Sequence, residues 1–283
     1  SILEQGLIYG ILGLGVYITY KILDFPDLTT DGSFPLGAAI SAAMISRGMN
    51  PYLALLVSFA AGAAAGCCTG LIHVKCKVRD LLSGIIMMTA LWTINLRIAG
   101  TSNVPIFSKD SIFHNDFLDM LPGAIKPYRT LLIVIVLVVV TKILLDLYMN
   151  TKSGFLLRAV GDNSTLVTSL AKDQGNVKIM GLALSNGLIA LSGSIFCQEE
   201  SVFEVSMGTG AIVIGLASVI IGTSIFKNLS LLKATTAVII GSVLYKACVA
   251  VAIRNFEPQD MKLITAILFL VVLVLSMERK KKV

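Results

Sequence analysis

Long apolar stretches separated by short polar breaks run along almost the whole chain. A helix that crosses a membrane needs about 20 apolar residues, and nine stretches fit such crossings. They are 7–22, 35–45, 52–73, 81–98, 131–148, 179–197, 208–226, 231–252 and 263–277. A transmembrane β-barrel would alternate polar and apolar residues in segments of about 10. The continuous runs therefore predict an all-α polytopic membrane protein of about nine transmembrane helices, with eight to ten as the range.

The second stretch, 35–45, is too short to cross about 30 Å of hydrocarbon by itself. It needs flanking residues, or it forms a broken or re-entrant helix covered by protein. The count fixes the side of the N-terminus. Nine crossings put it outside the cell, whereas eight, with 35–45 re-entrant, put it inside.

Composition narrows the class of protein further. Hydrophobic residues make up 55% of the 283 positions, charged residues only 14%, and the mean hydropathy is +0.85. Soluble domains carry about 25% charged residues, so a soluble enzyme, a disordered chain and a disulfide-stapled secreted domain are excluded. The five cysteines include no C-x-x-C pair, and we interpret all five as small apolar packing residues.

The charged residues that do occur indicate an orientation. The 23 Lys and Arg against 17 Asp and Glu give a net charge of +6. Basic residues concentrate at 75–79, 150–178, 227–233 and in the tail 278–283, all on one side if the crossings alternate. Acidic residues collect on the other side. The basic side is predicted to be cytoplasmic, in the bacterial cytoplasmic membrane, and the charge requires no nucleic-acid partner.

The two ends of the single transmembrane domain share the same order of spans: a long span, a short Gly/Ala-rich one, a second long span and a final span. The first repeat covers 7–98 and the second covers 179–277, with a linking span at 131–148 between them. Asp31-Gly-Ser-Phe-Pro-Leu-Gly-Ala38 occupies the place of Glu204-Val-Ser-Met-Gly-Thr-Gly-Ala211 in the other half. Because one odd span separates them, the second repeat is inverted. Inverted repeats with broken helices are typical of transporters.

Three polar segments interrupt the apolar pattern. In the segment 23–34, Asp27, Thr29, Asp31 and Gly32 belong either to a solvated loop with a turn at 31–32 or to unwound helix lining a translocation path. Asn95 and Arg97 lie near the outer end of a crossing, where Arg97 reaches the interface, or where both residues fix an outer gate or meet the acidic face of a partner. Asn186 lies in mid-span, where it serves helix packing or lines a pore.

The third segment is a cytoplasmic loop at 150–178. Asp162, Asn163 or Ser164 suits the start of a short helix, and Gly175 suits its stop. The apolar positions of that helix fall on one face, at Leu166, Val167, Leu170 and Ala171. Such a helix packs on the membrane surface or on a cytoplasmic partner, and the residues alone leave both open.

Several chemistries have no supporting motif. The chain has no G-x-x-x-x-G-K-[ST], no H-E-x-x-H and no Ser/His/Asp set, so we predict no catalytic residues and no metal site. Acidic residues are nearly missing from the interiors of the spans, which argues against a proton relay. A membrane-embedded enzyme is accordingly the least favoured class.

The strings Asp27-Leu-Thr-Thr-Asp-Gly32 and Arg158-Ala-Val-Gly-Asp-Asn163 resemble permease subunits of bacterial ABC importers for branched-chain amino acids and ribose-type sugars. Leu23-Asp-Phe-Pro-Asp-Leu-Thr29 and Ile94-Asn-Leu-Arg97 are similar to a Gram-positive branch associated with tryptophan or tyrosine. The resemblance covers nearly the whole chain. After Asn163 it departs, because the family usually continues with Pro and small residues and this chain does not.

The resemblance implies a homodimer that receives its substrate from an extracytoplasmic binding lipoprotein and docks a dimer of a cytoplasmic ABC ATPase. This chain would hold no cofactor, since ATP and Mg²⁺ bind to the ATPase. By resemblance, the ATPase-coupling loop includes the residues Arg158, Ala159, Gly161, Asp162 and Asn163. The alternatives are a stand-alone secondary transporter or channel, and a branched-chain amino acid, nucleoside or sugar as substrate.

Overall fold

The computed structural model describes residues 1–107, 109–114, 128–162, 173–226, 233–253 and 261–281. Within these ranges the chain is almost entirely helical. The α-helices, numbered here in chain order, are α1 Ile2–Val16, α2 Thr30–Ser46, α3 Pro51–Val74, α4 Asp80–Ala99, α5 Arg129–Met149, α6 Lys152–Asp162, α7 Gln174–Glu200, α8 Ala211–Ile225, α9 Ala234–Ile253 and α10 Met261–Lys281. A π-helix, Tyr17–Ile22, continues α1, and a 3₁₀ turn, Val205–Gly208, precedes α8.

Seven of these helices are long and apolar enough to cross a membrane, with α1 and its π-helix counted together. The all-α polytopic fold is thereby confirmed. The predicted crossing at 208–226 is among the seven, because the 3₁₀ turn extends it to Val205–Ile225. The last predicted crossing, 263–277, is not among the seven, because its apolar helix covers only Leu263–Val274. The helix α2, with 17 residues, also falls short of a full crossing.

The contacts of α2 show how a short helix is accommodated. Protein surrounds nearly every α2 side chain, as the sequence required. Before α2, the Phe25 ring meets the His73 ring edge-on at 5.1 Å, beside the basic end of α3. Towards its other end, the Ser41 hydroxyl accepts a hydrogen bond of 3.1 Å from Gln198, near the end of α7. Together, α2 and the non-helical residues before it therefore reach from the basic end of the bundle to the opposite end.

Two central helices, α1 and α7, organise the packing. The α3 helix packs most extensively against α7, and α1 packs in the same way against α9. Glycines at intervals of four residues, Gly62, Gly66 and Gly70, let α3 approach the α7 backbone, and a Cβ atom at any of them would meet it. Small residues at such spacing are the usual device for close helix contact in membranes.

Serine hydroxyls add polar bonds to the same contacts. Ser185 and Ser192 of α7 donate to the carbonyl oxygens of Gly15 and Ile8 in α1, each at 2.7 Å. Ser242 of α9 donates to the Gly6 carbonyl oxygen, also at 2.7 Å. Because hydrocarbon offers no alternative partner, each bond holds one helix against the next.

At the end of the bundle opposite the basic loops, a short antiparallel ribbon connects the two halves of the chain. Its strands, β1 Asn103–Pro105 and β2 Val202–Glu204, follow α4 and α7. Val104 pairs with Phe203, which is fully buried. This ribbon places the C-terminal ends of α4 and α7 next to each other on the predicted outer side.

The cysteines only partly follow the sequence interpretation. All five are free, and Cys197 lies in the core as a packing residue. Cys68, Cys76 and Cys248 are exposed on the surface of the bundle, so the packing interpretation is wrong for them in the single chain. Cys68 and Cys248 lie in apolar stretches of α3 and α9, whereas Cys76 lies between Lys75 and Lys77 in the turn after α3.

Replacing Gly66 by Leu should lower the free energy of unfolding by about 2 kcal/mol, the usual cost of forcing a side chain into a packed contact. The added atoms would overlap the Leu182 carbonyl oxygen of α7. The matched control is Ala64→Leu, on the exposed face of the same helix. Thermal unfolding in detergent measures both, and equal midpoints would contradict the assigned contact.

Candidate functional site

The polar segment 23–29 forms an irregular connection inside the bundle. Asp24 has a left-handed backbone, with φ of 49°. Asp27 is only 1% exposed. Its Oδ1 accepts a hydrogen bond from the Thr29 backbone N–H at 2.9 Å, and its carbonyl oxygen accepts one from the Thr30 hydroxyl at 2.9 Å. Asp27 thus organises the start of α2.

The solvated-loop alternative for this segment is therefore wrong. Asp27 and Thr29 are buried, although Asp24 and Pro26 are exposed. The predicted turn at Asp31–Gly32 is also absent, since both residues lie in the first turn of α2. The competing prediction of an unwound stretch of backbone with polar partners describes the local structure correctly.

Asn186 of α7 is the central partner of this segment. Its Nδ2 donates to Asp27 Oδ2 at 2.7 Å and to the Leu182 carbonyl oxygen at 3.0 Å. Its Oδ1 accepts from the Ser33 hydroxyl at 2.7 Å. Thr29 adds a hydroxyl contact of 2.9 Å with Thr69 of α3. The break before α2 is thereby tied to two neighbouring helices, which satisfies the hydrogen-bonding requirement of a buried carboxylate.

Asp31 connects the two broken regions of the chain. Its Oδ2 accepts from the Gly210 N–H at 3.0 Å, and its Oδ1 accepts from the Ile212 N–H at 2.8 Å. These amides open α8 and have no partner within that helix. A carboxylate is also the group that the positive end of a helix dipole favours. Gly208 packs against the Asp31 backbone, so the beginnings of α2 and α8 meet.

Gly32 and Asn95 form the contact between α2 and α4. Asn95 is fully buried, and its Nδ2 donates to the Gly32 carbonyl oxygen at 3.1 Å. A Cβ atom at Gly32 would lie 2.9 Å from the Leu91 side chain, so only glycine fits without movement. In the described part of the chain, no donor reaches Asn95 Oδ1. Arg97 stands apart from this cluster, exposed at the end of α4.

Four of the five predicted coupling residues, Arg158, Ala159, Gly161 and Asp162, lie on α6, an amphipathic helix directly after α5. Leu157 and Val160 are buried against the bundle. Gly161 lies against the Ile22 carbonyl oxygen at the end of the π-helix, and any Cβ atom there would overlap that oxygen. No sequence signal predicted α6 at the start of the region 150–178.

The other face of α6 is open. Phe155 is 58% exposed, and the Arg158 guanidinium carbon lies 5.8 Å from the centre of its ring. Arg158 Nη2 also donates to the Met149 carbonyl oxygen at 3.3 Å. Ala159 is half-buried at the edge of this face. One apolar and one cationic side chain therefore face outwards from a firmly seated helix.

A cavity of about 370 Å³ lies beside α6 at the inner end. Arg158 and Tyr17 line it together with Asp146 of α5. The Asp146 carboxylate accepts hydrogen bonds from Lys142 at 2.8 Å and from Thr235 at 2.8 Å, so it is already neutralised and held. Arg158 therefore belongs both to the open face of α6 and to the wall of this cavity.

Two sequence predictions for the inner region need comment. Asn163 and the predicted helix positions 164–171 lie outside the described residues. The predicted stop at Gly175 is wrong, because Gly175 lies in the first turn of α7. Asp173 begins that helix, with its Oδ1 accepting the Gly175 N–H at 2.9 Å. Asp173, two residues before the glycine, is the local signal that would have indicated a helix start.

Sequence reasoning also missed partners of the site. Thr69 and Ser33 complete the network around Asp27 and Asn186, yet each is a single small polar residue in an apolar helix. Ile22 and Gly161 form a contact between the π-helix and α6, and the two residues lie 139 positions apart in the sequence. The spacing of Gly62, Gly66 and Gly70 was a usable signal for the α3–α7 contact.

A bundle of membrane-crossing helices in which two broken segments meet, with an amphipathic helix packed at the end that carries the basic loops, is typical of a multi-pass membrane transport protein. The chain belongs to the family described as the branched-chain amino acid transport system permease component, whose model matches residues 1–277. The family resemblance found in the motifs is confirmed, as is the location in the cytoplasmic membrane.

Individual relatives agree with this assignment. The chain is 45% identical over 271 residues to the tyrosine transport system permease protein of Clostridioides difficile, covering 95% of this chain and 88% of that protein. It is 32% identical to an uncharacterized protein of Rickettsia prowazekii, covering 95% and 94%. The ribose import permease of Escherichia coli K12 is 23% identical, covering 78% and 68%. Solved structures provide no significant match.

Replacing Asp31 by Ala should destabilise the start of α8 by about 1 kcal/mol or more, as the loss of a helix cap does. Hydrogen exchange should accelerate at the amides of 210 and 212, while amides in the middle of α9 stay unchanged. Asp24→Asn, at an exposed aspartate of the same polar segment, is the control, because asparagine tolerates the left-handed backbone found there. Unchanged exchange at 210 and 212 would contradict the capping role.

Proposed function

We propose that this chain is the permease subunit of an ATP-driven ABC importer for an aromatic amino acid, with tyrosine as the first candidate. The observation that carries the proposal is the 45% identity, over 95% of the chain, to a tyrosine transport system permease protein. Branched-chain amino acids, nucleosides and sugars are the alternative substrates. The chain performs no chemical conversion; ATP and Mg²⁺ bind to a partner ATPase.

The open face of α6 supports docking of a cytoplasmic ABC ATPase dimer. Phe155 offers an apolar contact and Arg158 a fixed positive charge, a combination enriched at protein interfaces. On its other face, Gly161 rests on the Ile22 carbonyl oxygen without an intervening side chain. Movement of α6 would therefore reach the end of α1 and the polar segment 23–29 directly.

The helix contacts also support the proposed inverted repeat of 7–98 and 179–277. The α1–α9 contact corresponds to the α7–α3 contact when the two halves are exchanged. In the same exchange, the α2–α4 contact corresponds to α8–α10. In the proposed mechanism, ATP-driven movement of the coupling helix rocks one repeat against the other around the junction where Asp31 caps α8.

The exposed face of α4 supports pairing with a second copy of the permease around the translocation path. Thr89, Thr93 and Arg97 are exposed one turn apart along this face. On α5, by contrast, every exposed side chain is aliphatic, whereas α4 exposes these three polar residues among apolar ones such as Ile86 and Ile94. We place the path along α4, where Asp27, Thr29 and Asn186 brace the helices behind it. The extracytoplasmic binding lipoprotein would deliver substrate at the end that carries the β1–β2 ribbon.

Reconstitution with the partner ATPase and binding lipoprotein tests the class and the substrate together. Uptake of labelled tyrosine into liposomes should require ATP and both partners, and should exceed uptake of leucine or ribose. Flux through the purified chain alone, driven by an ion gradient and insensitive to ATP, would instead establish a secondary transporter or channel.

The two faces of α6 should give different defects in the same assay. Phe155→Ala, on the open face, should reduce recovery of the ATPase in co-purification several-fold. Gly161→Ala should retain the ATPase and its hydrolysis but lose most transport, because the added Cβ overlaps the Ile22 carbonyl oxygen. Identical phenotypes for the two variants would contradict the separation of docking from coupling.

Cysteine labelling tests the proposed path. In a cysteine-free background, Thr93→Cys should react with a hydrophilic thiol reagent and be protected by substrate delivery. Val136→Cys, at a 60% exposed position of α5, is the lipid-facing control and should stay unlabelled. Equal labelling at the two positions would remove the basis for placing the path along α4.

A further inference from the structure

A second cavity at the inner end, of about 500 Å³, takes no part in the site described above. It lies between the turn that joins α3 to α4 and the start of α7. Three basic side chains from two parts of the chain line it, Lys77, Arg79 and Lys178, together with one acidic side chain, Asp173. Asp173 already caps α7 through the Gly175 N–H. The cavity therefore has an excess of positive charge and favours an anion.

The turn that carries two of these cations is held in a defined shape. Lys77 has a left-handed backbone with φ of 55°, which is uncommon for a residue other than glycine. The His73 ring nitrogen Nδ1 lies 2.8 Å from the Val78 carbonyl oxygen, which ties the turn back to α3. The His73 ring in turn packs on Phe25. A strained conformation kept by such contacts is frequent at functional sites.

Exposed apolar side chains lie close in sequence to the residues that line the cavity. Leu71, one turn before the end of α3, is 44% exposed, and Leu81 and Leu82, just after Arg79, are 44% and 50% exposed. Val74 and Val78 form part of the cavity wall. Basic groups at the end of membrane-crossing helices, next to exposed apolar groups, match the chemistry of a phospholipid, with its phosphate at the surface and its acyl chains below.

We propose that this cavity binds the phosphate-bearing headgroup of an anionic phospholipid from the inner leaflet. Lys77, Arg79 and Lys178 neutralise the phosphate, and the exposed leucines of α3 and α4 contact the acyl chains. The inner leaflet supplies this ligand because its surface is negatively charged. The inference is independent of the transported solute, so it stands or fails separately from the proposed function.

Native mass spectrometry of the protein from nanodiscs tests the site. The wild type should retain phosphatidylglycerol and not phosphatidylcholine. Lys77→Gln, Arg79→Gln and Lys178→Gln should each lower the apparent affinity about fivefold, the expected share of one basic residue near an anionic surface. Lys178→Arg, which keeps the charge, should retain the lipid. The matched control is Lys75→Gln, an exposed lysine of the same turn that does not line the cavity.

Three results would overturn the proposal. Equal lipid retention in the cavity variants and in Lys75→Gln would show that the cavity holds no lipid. Complete displacement of phosphatidylglycerol by millimolar inorganic phosphate would assign the cavity to a soluble anion. Loss of ATPase co-purification with unchanged lipid retention would assign it to the partner protein. Thermal unfolding of each variant confirms that it is folded before the comparison is made.

Discussion

A break in a helix inside a membrane leaves backbone groups that water cannot reach, and the protein must supply a partner for each. The rest of this bundle depends on how that requirement is met before α2. The Asp27 carboxylate accepts hydrogen bonds from the Thr29 amide and from Asn186 of α7. Asn186 in turn accepts a hydrogen bond from the Ser33 hydroxyl. Because these bonds reach α7, the break fixes the position of α2 relative to the central helix. The α3 glycines then bring a third helix onto the same surface.

The polar bonds and the close glycine contacts support each other. Helices that touch backbone to backbone have little freedom to shift, so side-chain hydrogen bonds across them keep their geometry. Ser185 and Ser192 can reach α1 carbonyl oxygens only because α1 and α7 lie close together. The same rule applies at the basic end of the bundle, where Gly161 lets α6 pack against the end of the π-helix. Contacts of this kind suit the proposed movement of one repeat against the other.

The sequence allowed the class of fold and most crossings to be predicted, because lipid selects long apolar runs. It also identified the residues of the break, since Asp27, Asp31 and Asn186 are polar where the surroundings are apolar. It did not reveal what they bind. The bonds between Asp31 and the start of α8 join positions 179 and 181 residues apart, and no local pattern encodes such a pairing. Arg97, polar in the same way, proved to be separate from the cluster.

The Asp31 contact has a consequence for how the protein is made. Asp31 enters the membrane with the first half of the chain, whereas Gly210 and Ile212 are synthesised about 180 residues later. Until then the Asp31 carboxylate cannot accept hydrogen bonds from the α8 amides. An unpaired carboxylate in hydrocarbon is costly. The Asp31 cap of α8 can therefore form only after the second half of the chain has been synthesised and inserted. The junction between α2 and α8 belongs to neither half alone and is completed late in the synthesis of the permease.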